Sequence, residues 1–437
     1  MQIDRRQFLR HGALLPAAVA GAPAAAPRTL PPPHASGIDH IVVVMLENRS
    51  FDHLLGWLWT ADGRQAGLTF VDAQNIAHAT YALRPDYKGC GHPDPDHDYL
   101  PARIQYNRGR MDGFLRSPSN DPFAIGYYGP FDIPFHAALA CHYTTLDRYF
   151  CSILGPTFPN RIFQHAAQTD RLTDSLTLAT MPTIWDRLLA AGVDARYYYS
   201  NVPVLALWGS KYLGIAAPIA EFFQDAAAGM LPSVSFVDPQ FAVLEDSLAD
   251  DDHPHADIRR GDAFLALVFE ALSRGPGWPG TVAILNFDEW GGFFDHVPPP
   301  RAVAPNLVDP DIVGGRTLLG FRVPVVVASP FTRGTALFPR VNHLVFDHTS
   351  VLKLIEWRWG LAPLTARDAF GDVANLAYAL RFDEPDIDVP PLPLPAAPPP
   401  AACSATAPAS TARSSVWLRL AESRRVDGWP LQPSPQR

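Results

Sequence analysis

Apolar residues in this chain fall in short continuous runs rather than in an alternating pattern. Two runs, residues 41–46 and 282–287, read as buried strands, and the strand candidates are 38–46, 195–199, 233–237, 282–287 and 323–328. Between them the apolar spacing becomes helical. One helical stretch, 183–191, stops at Gly192; another, 257–273, leads through a Gly/Pro turn into the run at 282; a third, 349–359, stops at Gly360. Glycine suits such stops because it enters the left-handed region without a Cβ clash. Strands alternating with helices predict an α/β fold with a mostly parallel central sheet and helices on both faces.

Three regions break the pattern. Residues 62–134 are rich in polar, Gly, Pro and His residues and show little periodicity, which predicts a loop-rich lid insertion over the strand ends. From residue 384 to 437 the chain is a Pro/Ala-rich tail, with 415–429 reading as one short terminal helix able to dock back. At the other end, Asp4-Arg5-Arg6-Gln7-Phe8-Leu9-Arg10 resembles a twin-arginine export signal, followed by a mildly apolar stretch and small residues at 24–26. The expected organisation is a signal peptide at 1–26, a flexible leader at 27–37, a globular domain at 38–383 and the tail. Export through the twin-arginine translocation machinery to the periplasm or beyond follows. The apolar stretch is too short to span a bilayer, so membrane contact is expected to be peripheral at most.

Hydrophobic residues make up 47% of the 437, enough for a sizeable core. The net charge is -9 and no Lys/Arg-rich stripe appears, so nucleic acid is not an expected partner. The four cysteines, Cys90, Cys141, Cys151 and Cys403, match no zinc spacing. An oxidising compartment leaves Cys141 and Cys151 free to pair; isolated buried thiols are the equal alternative.

Chemistry enters at two strand ends. The run at 41–46 leads into Glu47-Asn48-Arg49-Ser50-Phe51-Asp52-His53, and the run at 282–287 into Asp288-Glu289-Trp290-Gly291-Gly292-Phe293-Phe294-Asp295-His296. Open α/β sheets place their chemistry at such strand ends. Glu47, Asn48, Asp288 and Glu289 offer three carboxylates and an amide oxygen, a hard set suited to one divalent cation, with Ca2+, Mg2+ or Mn2+ favoured. Carboxylates gathered without a cation would raise each other's pKa. Separate surface carboxylates are the plainer reading, and two strand-end pairs weigh against it.

The segment Gly155-Pro156-Thr157-Phe158-Pro159-Asn160-Arg161 has the character of a helix start. Free N–H groups there make an anion site. A threonine hydroxyl held there beside a cation is a nucleophile for phosphorus; taken alone, Thr157 is more simply a cap. His253, in the acidic loop Asp250-Asp251-Asp252-His253-Pro254-His255-Ala256-Asp257, is the first candidate to protonate a leaving group. His97, in Asp94-Pro95-Asp96-His97-Asp98, is the second, and His296 and His348 are further imidazoles within the pattern.

In this order, the Glu47, Gly155, Asp252-His253-Pro254 and Asp288 motifs resemble the bacterial phosphoesterases that include haemolytic and non-haemolytic phospholipases C and a group of acid phosphatases. The resemblance runs from about Ile38 to Leu361. It implies an alkaline-phosphatase-like core and a single metal held by Glu47, Asn48, Asp288, Glu289 and Thr157. It also implies Thr157 as nucleophile, with His97 and His253 around the phosphoryl group. Within the same motifs, Asn160, Arg161 and His296 are expected to bind substrate. Trp290 stands where several members carry histidine.

The implied reaction is hydrolysis of a phospholipid phosphodiester through a phospho-threonine, with an acid phosphatase acting on small phosphate monoesters as the alternative. The choice turns on two features. A monoester needs more positive charge, for which Arg49, Arg161 and Arg259 are placed near the motifs. A choline headgroup needs aromatic faces, for which Tyr99, Tyr106, Phe114, Tyr127, Tyr128 and Phe131 are candidates or, equally, packing residues. A non-catalytic phosphate-compound binding protein would have lost Thr157 or a ligand carboxylate. A sulfatase-like hydrolase would carry Cys/Ser-x-Pro-x-Arg, which the Thr157 segment lacks.

Overall fold

The two acidic motifs follow strands that lie side by side. A computed structural model of the protein describes residues 29–243, 248–403 and 415–430. The expected signal peptide therefore lies outside the described residues, as do parts of the expected leader and tail. The main strands are β1 (His40–Leu46), β2 (Thr144–Leu146), β3 (Ala195–Tyr199), β4 (Ala216–Pro218), β5 (Val234–Val237), β6 (Thr281–Phe287), β7 (Val326–Ala328) and β8 (Val341–Asn342). They form one sheet in the order β8-β2-β7-β6-β1-β5-β3-β4. Only β7 runs against its neighbours; every other pairing is parallel. The expected α/β class and mostly parallel sheet are what the molecule has.

Strands β1 and β6 are buried along almost their whole length. Such runs require cover on both faces. Phe287 stacks on His136 of helix α1 (Pro134–His142), while the next residue back, Asn286, donates to Gln164 of helix α2 (Thr157–Ala166) at 3.5 Å. Successive strand residues point to opposite faces, so α1 and α2 lie on opposite sides of the sheet. Helix α5 (Ile258–Arg274) packs on α1 and on α4 (Ile219–Ala228). On the other face α2 packs on α3 (Ile184–Ala190) and α6 (His348–Trp359). The helix boundaries follow from caps: Thr183 and Asp186 form a capping box, Asp257 and Asp347 cap α5 and α6, and Gly360 ends α6 at φ 65°.

Residues 62–134 contain short two- and three-residue strands, a helix at Tyr99–Tyr106 and a packed interior in which Phe114, Phe123, Ile125 and Tyr128 are fully buried. Phe294 N–H donates to Ala124 O at 2.9 Å and Tyr128 N–H to His53 O at 2.9 Å, so this region is tied to both acidic motifs. The pairing open to Cys141 and Cys151 does not form. Both are free thiols, and the disulfide joins Cys90 to Cys403 across 313 residues, fastening the 62–134 region to the tail.

Candidate active site

The register of β1 against β6, with Leu46 opposite Phe287, brings Glu47 and Asp288 out together at the carboxyl ends of adjacent strands. The backbones then knit. Asp288 N–H donates to Leu46 O at 3.2 Å, Asn48 N–H to Asp288 Oδ1 at 3.2 Å, and Arg49 N–H to Glu289 O at 3.0 Å. This contact explains the paired glycines. A Cβ on Gly291 would lie 2.1 Å from Asn48 O, and one on Gly292 2.6 Å from Pro95 Cβ; both residues sit at positive φ. Asn48 itself turns at φ 58°, a conformation that asparagine tolerates.

The four expected ligands Glu47, Asn48, Asp288 and Glu289 are fully buried. Asn48 Oδ1 and Glu289 Oε1 have no hydrogen-bond partner among the described residues, and Asp288 Oδ2 makes no hydrogen bond there but faces the Arg161 guanidinium at 3.3 Å. Leaving such acceptors buried and unpaired costs about 1–3 kcal/mol each, and a hard divalent cation would satisfy all three. The donor set therefore fits the expected metal. Burial pushes the Glu47, Asp288 and Glu289 carboxyls above the usual range; Arg161 pulls against this at Glu47 and Asp288, and His97 at Glu289.

Arg161 is the counter-charge. Its Nε lies 3.2 Å from Glu47 Oε1 and 3.3 Å from Asp288 Oδ2, its Nη1 3.4 Å from Asp238 Oδ1, and its Nη2 donates to Met45 O and Leu46 O at 3.3 and 3.2 Å. Every nitrogen of the guanidinium thus faces the protein's own oxygens, which departs from the expected substrate-binding role. Elsewhere among the described residues, three carboxylate or imidazole ligand atoms lie within 4.8 Å of one another at Asp94, His97 and His253, and at Asp52, Asp295 and His296. The second group is an ion network. Arg322 lies 3.0 Å from Asp295 and 3.1 Å from Asp52, while His296 bridges Asp52 at 2.5 Å and Asp62 at 3.1 Å. Both ring nitrogens of His296 are thereby engaged, so its expected role toward substrate becomes a structural one.

Thr157 opens α2 and is 1% exposed; no hydrogen bond among the described residues engages its hydroxyl. The loop that delivers it is tied by Asn160. The Asn160 amide donates to Ile153 O, Gly155 O and Pro156 O, and its oxygen accepts from Ile153 N–H at 3.1 Å. Asn160 is thus a fastener of the Thr157 loop rather than the expected substrate contact. The expected anion site at this helix start is partly filled, because Phe158 N–H donates to Asp174 Oδ1 at 2.7 Å. Burial pushes Asp174 up to about 6 despite that bond.

The two candidate histidines meet edge to face, their rings 5.8 Å apart. His97 Nδ1 donates to Pro95 O at 2.8 Å and His253 Nδ1 to Pro254 O at 2.5 Å, which assigns the working position of each ring to Nε2. His253 Nε2 lies 3.8 Å from Asp94 Oδ2. Glu47 N–H donates to Asp251 O at 2.7 Å, which anchors the histidine loop to the end of β1. Burial alone would lower the pKa of His97, yet Glu289, Asp94 and Asp98 push it up to about 10.

The phosphoesterase family profile matches residues 38–362, most of the chain. The chain belongs to the phosphoesterase family. Phospholipase C B of Mycobacterium tuberculosis is 33% identical over 436 residues, covering 82% of this chain and 81% of its own. Non-specific phospholipase C6 of Arabidopsis thaliana is 31% identical over 391 residues, covering 80% and 74%. Among solved structures, the phosphonate monoester hydrolase of Agrobacterium radiobacter aligns over 79% of this chain and 78% of its own, at 12% identity and a TM-score of 0.38. The α/β class rests on the sheet itself. As a member of this family, the protein is a phosphoric ester hydrolase.

Three residues of this phosphoesterase site escaped the sequence reading. Asp238 follows β5 as Glu47 follows β1 and Asp288 follows β6, so the strand-then-acid pattern was a usable signal. Asp174, in the loop after α2, reaches back to the first turn of that helix and carries no local signal. Trp417 comes from the tail, 1% exposed, and donates from Nε1 to Glu47 Oε2 at 2.8 Å. His348 holds the site from behind, with Nε2 donating to Asp288 O at 2.7 Å. His255 points away, to His92 O at 2.9 Å. Of the aromatics considered for a choline cradle, Phe114 and Tyr128 are core residues, and Tyr99 donates to Asp309 at 2.6 Å with Arg103 over its ring.

Proposed function

We propose that the protein is an exported, metal-dependent phospholipase C-like hydrolase that cleaves phospholipid phosphodiesters through a phospho-threonine. The observation that carries this reading is the set of buried oxygens without a hydrogen bond on Asn48, Asp288 and Glu289, the second of them ion-paired to Arg161 in the helix that Thr157 opens. A divalent cation held by Glu47, Asn48, Asp288 and Glu289 supplies Lewis-acid neutralisation of phosphoryl charge. Thr157 Oγ, its proton already lost to solvent, attacks as the alkoxide and forms the bond to phosphorus as the bond to the leaving oxygen breaks. His97 or His253 gives its Nε2 proton to that oxygen. Water then attacks phosphorus as the bond to Thr157 Oγ breaks; the now neutral imidazole takes the proton that the water sheds, which restores its Nε2–H, and the threonine oxygen leaves as the alkoxide it was at the start.

Two observations favour a diester on a membrane over a soluble monoester. Arg161 and Arg259 are engaged with the carboxylates described above and with Asp257 rather than turned to a dianion, which leaves Arg49 Nη2 as the one buried guanidinium nitrogen of the three arginines without a partner among the described residues. Beside the site, the helix beginning next to His97 exposes Leu100 (73%) and Ile104 (40%), and exposed Arg108 and Arg110 follow it. That mixture suits peripheral contact with a lipid surface. Export by the twin-arginine route agrees with Arg5-Arg6 and with a disulfide between Cys90 and Cys403, which an oxidising compartment preserves.

The test is hydrolysis of phosphatidylcholine vesicles and of a phosphate monoester by the purified protein, with and without chelator, beside Thr157→Ala. The reading expects faster vesicle hydrolysis that chelation abolishes. It also expects a fall of about 10^4 or more in kcat for Thr157→Ala, the scale of losing a nucleophile. Near-normal turnover by that variant would overturn the nucleophile; a strong monoester preference would return the acid phosphatase reading.

A further inference from the structure

The tail does more than cover the domain. Helix α7 (Val416–Ala421) and the turn after it are fastened at four separate points. The Ser415 hydroxyl donates to Ala242 O, Arg425 Nε to Leu176 O at 3.0 Å, Trp429 Nε1 to Gly209 O at 3.0 Å, and Tyr199 O–H to Pro430 O at 2.8 Å. Within this strap Trp417 is buried. Its ring stacks on Phe241 at 3.7 Å and 11°, and meets Phe158, the neighbour of Thr157, edge-on at 5.5 Å. Arg161 lies over the same indole at 5.2 Å. The indole thus touches the Thr157 helix, the Arg161 counter-charge and Glu47.

The Glu47 carboxylate is held at both ends. Oε1 faces Arg161 Nε at 3.2 Å, and Oε2 accepts the Trp417 N–H at 2.8 Å. One donor alone would leave the carboxylate free to turn about its last torsion; two opposed donors fix the direction of the remaining lone pairs. Partners that orient a ligating carboxylate in this way tune the metal without touching it, and losing one typically costs 10–100-fold in metal affinity or activity. We infer that Trp417 is a positioning residue for Glu47, so that the C-terminal strap completes the cation site built by the sheet. This rests on the reading of Glu47 as a cation ligand, given above.

The experiment uses the full chain, stripped with chelator and titrated with Mn2+ in a calorimeter, then repeated with Ca2+. Two variants remove the N–H: Trp417→Phe, and replacement of Trp417 by its benzothiophene isostere, which keeps the bicyclic ring in the stack. Trp429→Phe is the control, because it removes a strap anchor that does not reach Glu47. The expected result is a loss of about 10–100-fold in cation affinity for both Trp417 variants. Trp429→Phe should bind as the parent does, and the metal-free melting temperature of the isostere should fall by no more than the loss of one buried hydrogen bond accounts for. Phosphoester turnover by the isostere should recover as the cation is raised. Parent-like affinity in the isostere would overturn the inference, as would an equal loss in Trp429→Phe, which would reduce Trp417 to a strap anchor. If the parent itself binds neither cation, the metal reading fails first and takes this inference with it.

Discussion

Replacing Arg161 by methionine tests the electrostatic logic of the site directly. Methionine keeps much of the side-chain volume against Phe241 and Trp417 but removes the guanidinium that faces Glu47, Asp288 and Asp238 at 3.2–3.4 Å. Breaking a buried charge pair by removing one partner costs about 3–5 kcal/mol, and three carboxylates lose a partner here. The loss should also depend on pH, with a sign set by the carboxyls. Burial already holds Glu47 and Asp288 above the usual range and Asp238 at about 6, with Arg161 pulling all three down. Without Arg161 all three rise further. A carboxyl whose folded pKa is raised contributes stability below its unfolded pKa, near 4, and loses it as pH rises through the folded value. Arg161→Met should therefore be least harmful near pH 5 and most harmful near pH 8. Guanidinium unfolding of the metal-free protein at both values measures this. A divalent cation should restore part of the loss at pH 8, by about 2.7 kcal/mol at 100 times its dissociation constant. A loss below about 1 kcal/mol, or one larger at pH 5 than at pH 8, would refute the reasoning.

Two further predictions concern groups outside the site. His136 is 2% exposed, its Nε2 lacks a partner among the described residues, and burial lowers its pKa from 6.5 to about 4. Its contribution to stability is full above pH 6.5 and is lost as pH falls toward 4. His136→Phe keeps a ring over Phe287, so it should gain on the parent by about 3 kcal/mol between pH 7 and pH 4; a pH-independent difference in urea midpoints would contradict this. Cys90→Ser with Cys403→Ser should lower unfolding stability by about 2–5 kcal/mol. An unchanged guanidinium midpoint would mean that the 313-residue loop is already closed by other contacts.

What could be read in the sequence, and what could not, follows from the range over which each signal acts. Strands β1 and β6 are seven residues each with apolar runs through their centres, so their pairing and the acids at their ends were legible. Strands β2, β4 and β8 are two or three residues long, too short for any period to show. The expected strand at 323–328 forms only over Val326–Ala328 and runs antiparallel, because direction is a property of the pairing and not of the run. The site divides in the same way. Which residues gather was legible, since motifs are local. What each does once gathered was not. Asn160, Arg161 and His296 all stand inside motifs, yet their donors are engaged by the protein itself. Asn160 is held by the loop it closes, Arg161 by Glu47 from 114 residues away and Asp238 from 77, and His296 by Asp52 and Asp62 from 244 and 234. Trp417 is the extreme case: nothing within the tail marks it, and its partner lies 370 residues away. A buried polar group must find a partner wherever the fold offers one. The role of a motif residue is therefore decided by which of its donors and acceptors remain after those partners are counted. By that count Asn48 and Glu289 keep an oxygen each, and Asp288 an oxygen that only the Arg161 guanidinium faces among the described residues, whereas Asn160 keeps neither donor nor acceptor.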